Sequence, residues 1–488
     1  MRKKVFLPLV ALLFGALCAY AVTGNPVKQV TAITEVFGDG QQVTAVALHY
    51  DREMDGTKLK PSSFNVREIV PPEMRQSGRE TLTEPVYEDR VVARVYTNKV
   101  PEMASASVKG EYVILELEKT YHYLPTFGGG PSGNRPSGNG SEAPRPGGPE
   151  GGDRVGQMQR GERPQGGVSK TMPQRDEILG AYKGITRIDD FKAEVSQTSR
   201  IKDARGRSVA AWGATVSDKT VNLIVDDFVQ MEYTDEMTGI PLAYNLFVPK
   251  NYDPSKKYPL VLFMPDATVT GKETTRTLTQ GIGATIWASP EEQAKHPAFV
   301  LAPDYTQQIM SDNWVTNDYL DATVGLINYL CQKYSVDTDR MYTTGQSGGC
   351  MLSFAIDNKY PDFFAASLLM AGKWDNSRVS RFAHQKMWMM CGEGDLGALP
   401  SMTGIVTELR KMGVKVSEAV WNGRSTAEEF DALCKAIDAE GADIRFVHFP
   451  QYTVFPDDEH IDGMEHLQTW RLTYTIEGVR DWLFRQSK

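Results

Sequence analysis

The chain has 488 residues, of which 24% are charged, and a formal net charge of −9 at pH 7. Charges of both signs are interspersed, so no basic stripe of the kind that binds nucleic acid is present. The length is enough for two or three domains. Beyond the N-terminus, no stretch is apolar enough to span a membrane. We therefore expect no nucleic-acid partner and no membrane span.

The N-terminus has the features of a signal peptide. Basic residues stand at 2–4, an apolar core covers 5–17, and Ala-Tyr-Ala at 19–21 fits a small-x-small cleavage site. The apolar run is shorter than the roughly 20 residues that a bilayer span needs. A lipoprotein signal at Cys18 is the alternative. We predict that residues 1–21 are removed and that the protein is exported, to the periplasm or the medium.

The region up to residue 225 is predicted to be rich in β-structure. Residues 22–127 contain short runs of alternating apolar and polar residues separated by turns, a pattern typical of a β-sandwich. Residues 128–167 consist mainly of Gly, Pro, Ser, Asn, Arg and Glu, which predicts a disordered insertion. Strand-like runs return in residues 168–225, too few for an independent domain. We predict that they complete the sandwich.

Residues 226–488 alternate strands with helices, which predicts the α/β class with a mostly parallel sheet. Eight strands are predicted: Asp227–Tyr233, Leu242–Val248, Leu260–Met264, Ala298–Ala302, Arg340–Thr344, Ala365–Met370, Lys386–Cys391 and Ile444–Phe449. Five helices are predicted: Asp318–Lys333, Cys350–Asn358, Ser401–Met412, Thr426–Glu440 and Glu465–Gln486.

A Gly-x-Ser-x-Gly motif surrounds Ser347, in the sequence Gly-Gln-Ser-Gly-Gly at 345–349. The motif alone is weak, but a β-branched and aromatic run at 341–344 precedes it and a helix start at 350–355 follows. This context is that of a nucleophile elbow, in which a strained strand-to-helix turn exposes the serine. The following helix N-terminus favours a developing oxyanion. The sequence therefore predicts Ser347 as a nucleophile.

A serine hydroxyl needs a base, and in this fold the histidine follows the last strand. Two histidines satisfy that order, His460 and His466. His466 opens a predicted helix, where its ring can project back toward the strand ends, so it is the favoured base. His460 lies in a charged loop and is the alternative.

The acid of a triad is expected after the preceding strand. Asp395 lies in a glycine-rich loop four residues beyond Cys391, where it can orient the imidazole of the base. Glu393 is its competitor and Asp375 a more distant one. A merely turn-forming aspartate is the structural alternative.

An oxyanion hole normally takes one N–H from the residue after the nucleophile, here Gly348. The second N–H comes from the loop after the third strand, which makes Asp266 and Ala267 the candidates. The residues predicted to line a substrate cleft are Gln346, Trp314 and Trp470. Core packing is an equal alternative for the two tryptophans.

No cofactor or metal is expected. The mature chain has no CxxC pair, which disfavours a zinc site, and the acidic run at 457–462 matches no calcium loop. Free thiols are favoured over bridges for the four cysteines of the mature chain: Cys331, Cys350, Cys391 and Cys434.

Four segments resemble a known group: 241–259 (PLAYNLFVPKNYDPSKKYP), GQSGG at 345–349, GEGDLGALP at 392–400 and HLQTW at 466–470. They are similar to bacterial secreted esterases and predicted peptidases. These carry an immunoglobulin-like domain before an α/β-hydrolase domain related to prolyl oligopeptidases and polyhydroxybutyrate-depolymerase-like esterases. The resemblance covers mainly residues 220–488. It implies an immunoglobulin-like sandwich in the N-terminal part and Ser347, Asp395 and His466 as a triad.

The chain departs from this group in one loop, since many relatives carry His-Gly where it has Pro265-Asp266. The expected activity is cleavage of a carboxylic ester through an acyl-enzyme on Ser347. The expected substrate is a small ester or a polysaccharide-linked acyl group. The alternatives are a serine peptidase of prolyl oligopeptidase-like type and a non-catalytic surface-binding protein.

Overall fold

The computed structural model describes residues 25–71, 84–120, 172–180, 191–270, 275–311, 313–456 and 460–488. The predicted signal peptide, the predicted disordered insertion and part of the acidic run at 457–462 lie outside these residues. Within the described ranges, no helix combines the length and the apolar character needed to cross a membrane.

The N-terminal part is built from eleven described strands, with the short helix α1 (Arg175–Gly180) between the sixth and the seventh. The strands are β1 (Val27–Phe37), β2 (Gly40–Met54), β3 (Phe64–Val70), β4 (Val86–Arg90), β5 (Val92–Asn98), β6 (Gly110–Leu117), β7 (Lys192–Gln197), β8 (Ile201–Lys202), β9 (Ser208–Val209), β10 (Trp212–Val216) and β11 (Lys219–Asn222).

Two sheets, ordered β11-β1-β2-β6-β5 and β10-β7-β3-β4, form an immunoglobulin-like sandwich. In β3, buried and exposed side chains alternate from Phe64 to Glu68, as expected when one face of a strand meets a core. β7 pairs with β3 and β11 pairs with β1, so strands beyond residue 190 share sheets with strands before residue 71. The exact domain boundaries stay a prediction.

The C-terminal part contains one sheet of nine strands. They are β12 (Phe228–Thr234), β13 (Pro241–Phe247), β14 (Tyr258–Met264), β15 (Phe299–Asp304), β16 (Val336–Gln346), β17 (Ala366–Met370), β18 (Met387–Gly392), β19 (Val416–Val420) and β20 (Ile444–Phe449). Their spatial order is β12-β13-β15-β14-β16-β17-β18-β20-β19. All neighbours are parallel except the pairs β12–β13 and β13–β15.

The predicted α/β-hydrolase class is confirmed, but the predicted count of eight strands is wrong. Every residue of β14, β15, β17 and β18 is buried, because helices cover both faces of a parallel sheet, and such strands appear as continuous apolar runs. The ninth strand, β19, is a short edge strand with the sequence Val-Ser-Glu-Ala-Val. Its single fully buried residue is Ser417, so it lacks the apolar run that marked the others.

In the described residues, nine helices accompany this sheet: α2 (Arg276–Thr279), α3 (Ile282–Thr285), α4 (Pro290–Lys295), α5 (Tyr319–Lys333), α6 (Gly348–Lys359), α7 (Ala398–Lys411), α8 (Ala427–Ala439), α9 (Glu465–Thr473) and α10 (Glu477–Phe484). The single helix predicted over 465–486 is therefore two. The hydroxyls of Thr469 and Thr473 bond to carbonyls four residues back, and that of Thr475 bonds to Leu472. Hydroxyls that compete for backbone groups weaken a helix, which is consistent with the break.

Four parallel strands bring their carboxyl ends to one edge of the sheet. β14 ends at Met264, β16 at Gln346, β18 at Gly392 and β20 at Phe449. In a parallel sheet, the loops after such ends converge and form the usual place for a site. The residues predicted as nucleophile, acid, base and oxyanion donors all follow these four ends.

Candidate active site

Ser347 lies between β16 and α6 in a strained backbone conformation, with φ 50° and ψ −118°. Such a conformation costs a non-glycine residue roughly 1–3 kcal/mol. Two hydrogen bonds hold it: the Ser347 N–H donates to the Met370 carbonyl at 3.0 Å, and the Met351 N–H donates to the Ser347 carbonyl at 3.1 Å. The turn is a nucleophile elbow, which carries the hydroxyl clear of the sheet.

Glycines are required on both sides of the serine because backbones meet there. A Cβ on Gly349 would lie 2.0 Å from the carbonyl oxygen of Met264 in β14. A Cβ on Gly345 would lie 2.5 Å from the carbonyl carbon of Gly349. The motif therefore needs glycine at both positions because α6 packs closely on the sheet.

Three predicted residues form a hydrogen-bonded series. His466 Nε2 lies 2.9 Å from Ser347 Oγ, and His466 Nδ1 lies 2.5 Å from Asp395 Oδ2. With its proton on Nδ1, the imidazole donates to the carboxylate and accepts the serine O–H at Nε2. This is the arrangement that lets histidine take the serine proton and lets the carboxylate stabilise the imidazolium.

Asp395 is buried and fixed from two directions. Its Oδ1 accepts the N–H groups of Gly397 at 3.1 Å and Ala398 at 2.9 Å, where α7 begins. Burial by itself raises the pKa of the Asp395 carboxyl, but the hydrogen bond from His466 and these two N–H bonds outweigh it, and the pKa lies below its usual value. The carboxylate therefore stays ionised beside the base.

His466 occupies the first turn of α9, and Trp470 stands one turn further along. The two rings meet edge to face with centroids 5.0 Å apart. Trp470 is only 5% exposed. The indole therefore packs against the imidazole, and its burial agrees with the core-packing alternative. A place for Trp470 in a substrate cleft stays a prediction.

The backbone of Ala267 lies close to Gly348, the residue after Ser347. The Ala267 nitrogen is 3.0 Å from the position that a Cβ on Gly348 would occupy. The N–H of Asp266, the other candidate, donates to Gln280 Oε1 at 3.4 Å. The closeness of Ala267 to Gly348 favours these two residues over Asp266 as the candidate oxyanion donors.

Gln346 is the last residue of β16 and is fully buried, which does not fit the expectation that it lines the cleft. Its Nε2 donates to Asp266 Oδ2 at 3.2 Å. This bond joins the loop after β14, the candidate oxyanion loop, to the end of β16. Trp314, the third cleft candidate, is half-buried with φ 58°, and its carbonyl accepts from Arg378 at 3.4 Å.

The competing residues have other partners. Glu393 bonds to His448 Nδ1 at 3.0 Å. Asp375 caps a short turn through the N–H of Ser377. The His460 ring packs against Tyr452, tilted by 33° with centroids 3.8 Å apart.

One group of potential metal ligands occurs in the described part of the chain, away from the strand ends. Glu292, His296 and Asp481 bring one ligand atom each within 4.8 Å of one another. Glu292 Oε2 accepts from Arg480 Nε at 2.7 Å, and His296 Nε2 lies 3.0 Å from Asp481 Oδ1. Glu292 and Asp481 thus each bond to a side chain of the protein, Arg480 and His296 respectively. Cys331, Cys350, Cys391 and Cys434 are free thiols.

Two residues near the site were not predicted. Glu465, next to the base, is 1% exposed and accepts two backbone N–H groups, and Gln280 holds the oxyanion loop as described. Their roles depend on contacts between segments far apart in the chain, which no local pattern reveals.

The fold and the site define a serine hydrolase of the α/β-hydrolase class. The chain combines two recognised domains: residues 29–210 match the family described as the esterase Ig-like N-terminal domain, and residues 304–396 match the prolyl oligopeptidase family. The first match extends across the break between the two groups of sandwich strands.

Two solved structures are similar to this chain to different degrees. A thermostable esterase matches with a TM-score of 0.68 and 25% identity, covering 95% of this chain and 100% of that one. The feruloyl esterase module from Clostridium thermocellum, complexed with sinapinate, matches with a TM-score of 0.36 and 13% identity, covering 51% of this chain and 86% of that one. Among curated proteins, the comparison finds no match.

Proposed function

We propose that the protein hydrolyses carboxylic esters through an acyl-enzyme on Ser347. The observation that carries the proposal is the hydrogen-bonded series Ser347–His466–Asp395. Ser347 Oγ attacks the ester carbonyl carbon while His466 Nε2 takes its proton, and His466 then gives that proton to the leaving alcohol. Water, deprotonated by the same histidine, cleaves the acyl-enzyme and frees the acid. Asp395 stabilises the imidazolium during both formation and hydrolysis of the acyl-enzyme.

The pair of N–H groups from Gly348 and Ala267 supports the same reaction. The carbonyl oxygen becomes negatively charged when the serine attacks, and preorganised N–H donors stabilise that charge. Gly348 is the first residue of α6, so the positive end of the helix dipole adds to the effect.

The direct test is Ser347→Ala with short p-nitrophenyl esters. Loss of a triad nucleophile lowers kcat by at least about 10³-fold. The matched control is Ser255→Ala, an exposed serine in a surface turn, for which we expect the wild-type rate. Hydrolysis by Ser347→Ala at the wild-type rate would overturn the proposal.

A serine peptidase is the second candidate, favoured by the match of residues 304–396 to the prolyl oligopeptidase family. Ester cleavage is preferred because the N-terminal match is to a domain described for esterases and the whole-length structural match is described as an esterase. Comparing esters of graded chain length, feruloyl esters and aminoacyl p-nitroanilides discriminates the two. Faster turnover of the anilides contradicts the esterase proposal.

We also propose that the protein acts outside the cytoplasm, on small esters or acyl groups attached to polysaccharide. The support is the basic start, apolar core and small-residue site of residues 1–21. N-terminal sequencing of the protein recovered from periplasm and medium tests this. A mature chain that starts near Val22 is expected, and an intact Met1 in the cytoplasm would contradict it.

A further inference from the structure

Glu465 directly precedes the proposed base and is buried, with 1% exposure. Its carboxylate joins two loops. Oε2 accepts the N–H of Gly394 at 2.6 Å, and Oε1 accepts the N–H of Tyr452 at 2.7 Å. Gly394 belongs to the acid loop after β18, and Tyr452 follows β20. One side chain therefore connects the acid loop, the segment after the last strand and the helix of the base.

The acid loop is shaped around this carboxyl group. A Cβ on Gly394 would lie 2.2 Å from Glu465 Cδ, and a Cβ on Gly392 would lie 3.0 Å from Glu465 Oε2. The Gly-Glu-Gly-Asp sequence at 392–395 thus leaves room for Glu465 at both glycines. Side chains at those positions would push the acid loop away from α9.

The contacts form two adjacent ties between the same loop and the same helix. One joins Gly394 to Glu465, and the other, one residue further along each segment, joins Asp395 to His466. The first tie constrains the distance on which the second depends. A displacement of about 1 Å in a catalytic group can lower the rate by about 10²-fold.

We propose that Glu465 is a positioning residue, which holds Asp395 in register with His466 through the acid loop. The inference rests on the proposed function. Glu465 touches neither the nucleophile nor the oxyanion donors in the contacts described, so it acts through the acid–base pair.

The test compares Glu465→Ala and Glu465→Gln with the matched control Glu393→Gln. Glu393→Gln also removes one carboxylate charge, from the acid loop itself, but the Glu393 carboxylate is partly exposed and bonds to His448. We expect Glu465→Ala to lower kcat by about 10- to 100-fold with KM within about twofold. Glutamine retains one of the two acceptor oxygens, so Glu465→Gln should lower kcat less than Glu465→Ala does. Glu393→Gln should keep kcat within about twofold.

A double-mutant cycle separates positioning from a general structural role. If Glu465 acts through Asp395, then adding Glu465→Ala to Asp395→Asn lowers kcat little further, whereas independent effects multiply. Wild-type kcat in Glu465→Gln and Glu465→Ala, or full additivity in the cycle, overturns the inference. If Glu465→Ala does not fold, Glu465→Gln and its own cycle decide in the same way. Wild-type turnover by Ser347→Ala would instead overturn the proposed function, so the two failures are distinguishable.

Discussion

The environment of Asp395 predicts a specific dependence of folding stability on pH. Its pKa is lowered in the folded protein, so its ionisation stabilises the fold above the unfolded pKa of about 3.9. This contribution is lost as the pH falls through the lower folded value.

We therefore expect wild type to exceed Asp395→Asn in free energy of unfolding at pH 7, with a difference that shrinks below about pH 4. Urea unfolding at a series of pH values measures this. A difference that grows toward acid would contradict the assigned hydrogen bonds. The same variant should lose about 10³- to 10⁴-fold in kcat, since asparagine cannot stabilise the imidazolium.

A substitution at Ala267 can test a single N–H donor of the proposed oxyanion hole. Ala267→Pro removes the donor at the first position of a short 3₁₀ turn, Ala267–Val269, where a proline ring is generally tolerated. We expect kcat to fall by about 10²- to 10³-fold with little change in KM. Ala267→Gly keeps the N–H and serves as the control. Equal kcat in both variants would exclude Ala267 as the donor.

Strands β3 and β4 are joined in the sandwich by a buried ion pair. The side chains of Glu68 and Arg90 are each 2% exposed and are paired with each other. Glu68 Oε1 also accepts the N–H of Val43 at 2.8 Å, and Arg90 Nη2 donates to the Glu118 carbonyl at 2.7 Å. The pair therefore connects both sheets of the sandwich.

Removing one partner of the pair should lower the free energy of unfolding far more than removing both. Arg90→Met leaves the Glu68 charge buried without compensation, and we expect a loss of about 3–5 kcal/mol in unfolding free energy. Glu68→Gln combined with Arg90→Met should recover much of that loss. Denaturant unfolding measures both. A loss below about 1 kcal/mol in Arg90→Met would show that the pair is not buried in solution.

At the same scale, the elements that sequence patterns could predict were those with a clear physical signature. The central parallel strands, which were predicted, are continuous apolar runs because such strands are buried on both faces. The edge strand β19 has Ser417 and Glu418 at its centre and lacked that signature. The break between α9 and α10 was missed because hydroxyl bonds from threonines to the backbone depend on the fold as well as on the residue type.

The part of the site that could be predicted is the part that follows from the order of the strands along the chain. Ser347, Asp395 and His466 follow three strands whose carboxyl ends share one edge, so their order alone suggested that they meet. Gln346, Trp470, Gln280 and Glu465 depend on contacts across the sheet edge. Burial at those positions is a property of the packed molecule, and the local sequence does not contain it.

In the whole molecule, the sandwich touches the helix that carries the base. Gly38 lies in the turn between β1 and β2, and a Cβ there would lie 2.0 Å from Arg471 Cγ and 2.9 Å from its Cα in α9. Arg471 also donates from Nη2 to the Val454 carbonyl at 3.1 Å. The two domains are therefore in close contact at this turn.

We expect Gly38→Ala to lower the melting temperature by a few °C, because overpacking costs about 1–3 kcal/mol. Gly213→Ala is the matched control in the same sandwich, since a Cβ there meets nothing within 4 Å. Thermal unfolding of both variants measures the effect. An unchanged melting temperature in Gly38→Ala would contradict the close contact between the domains.

The central claim is that Ser347 is an activated nucleophile. Incubation with a fluorophosphonate, followed by peptide mass spectrometry, tests it most directly. We predict one covalent adduct, on Ser347, that is absent in Ser347→Ala and strongly reduced in His466→Ala. An unlabelled Ser347 in the folded protein, or an adduct on another residue, would contradict the account and favour a non-catalytic surface-binding protein.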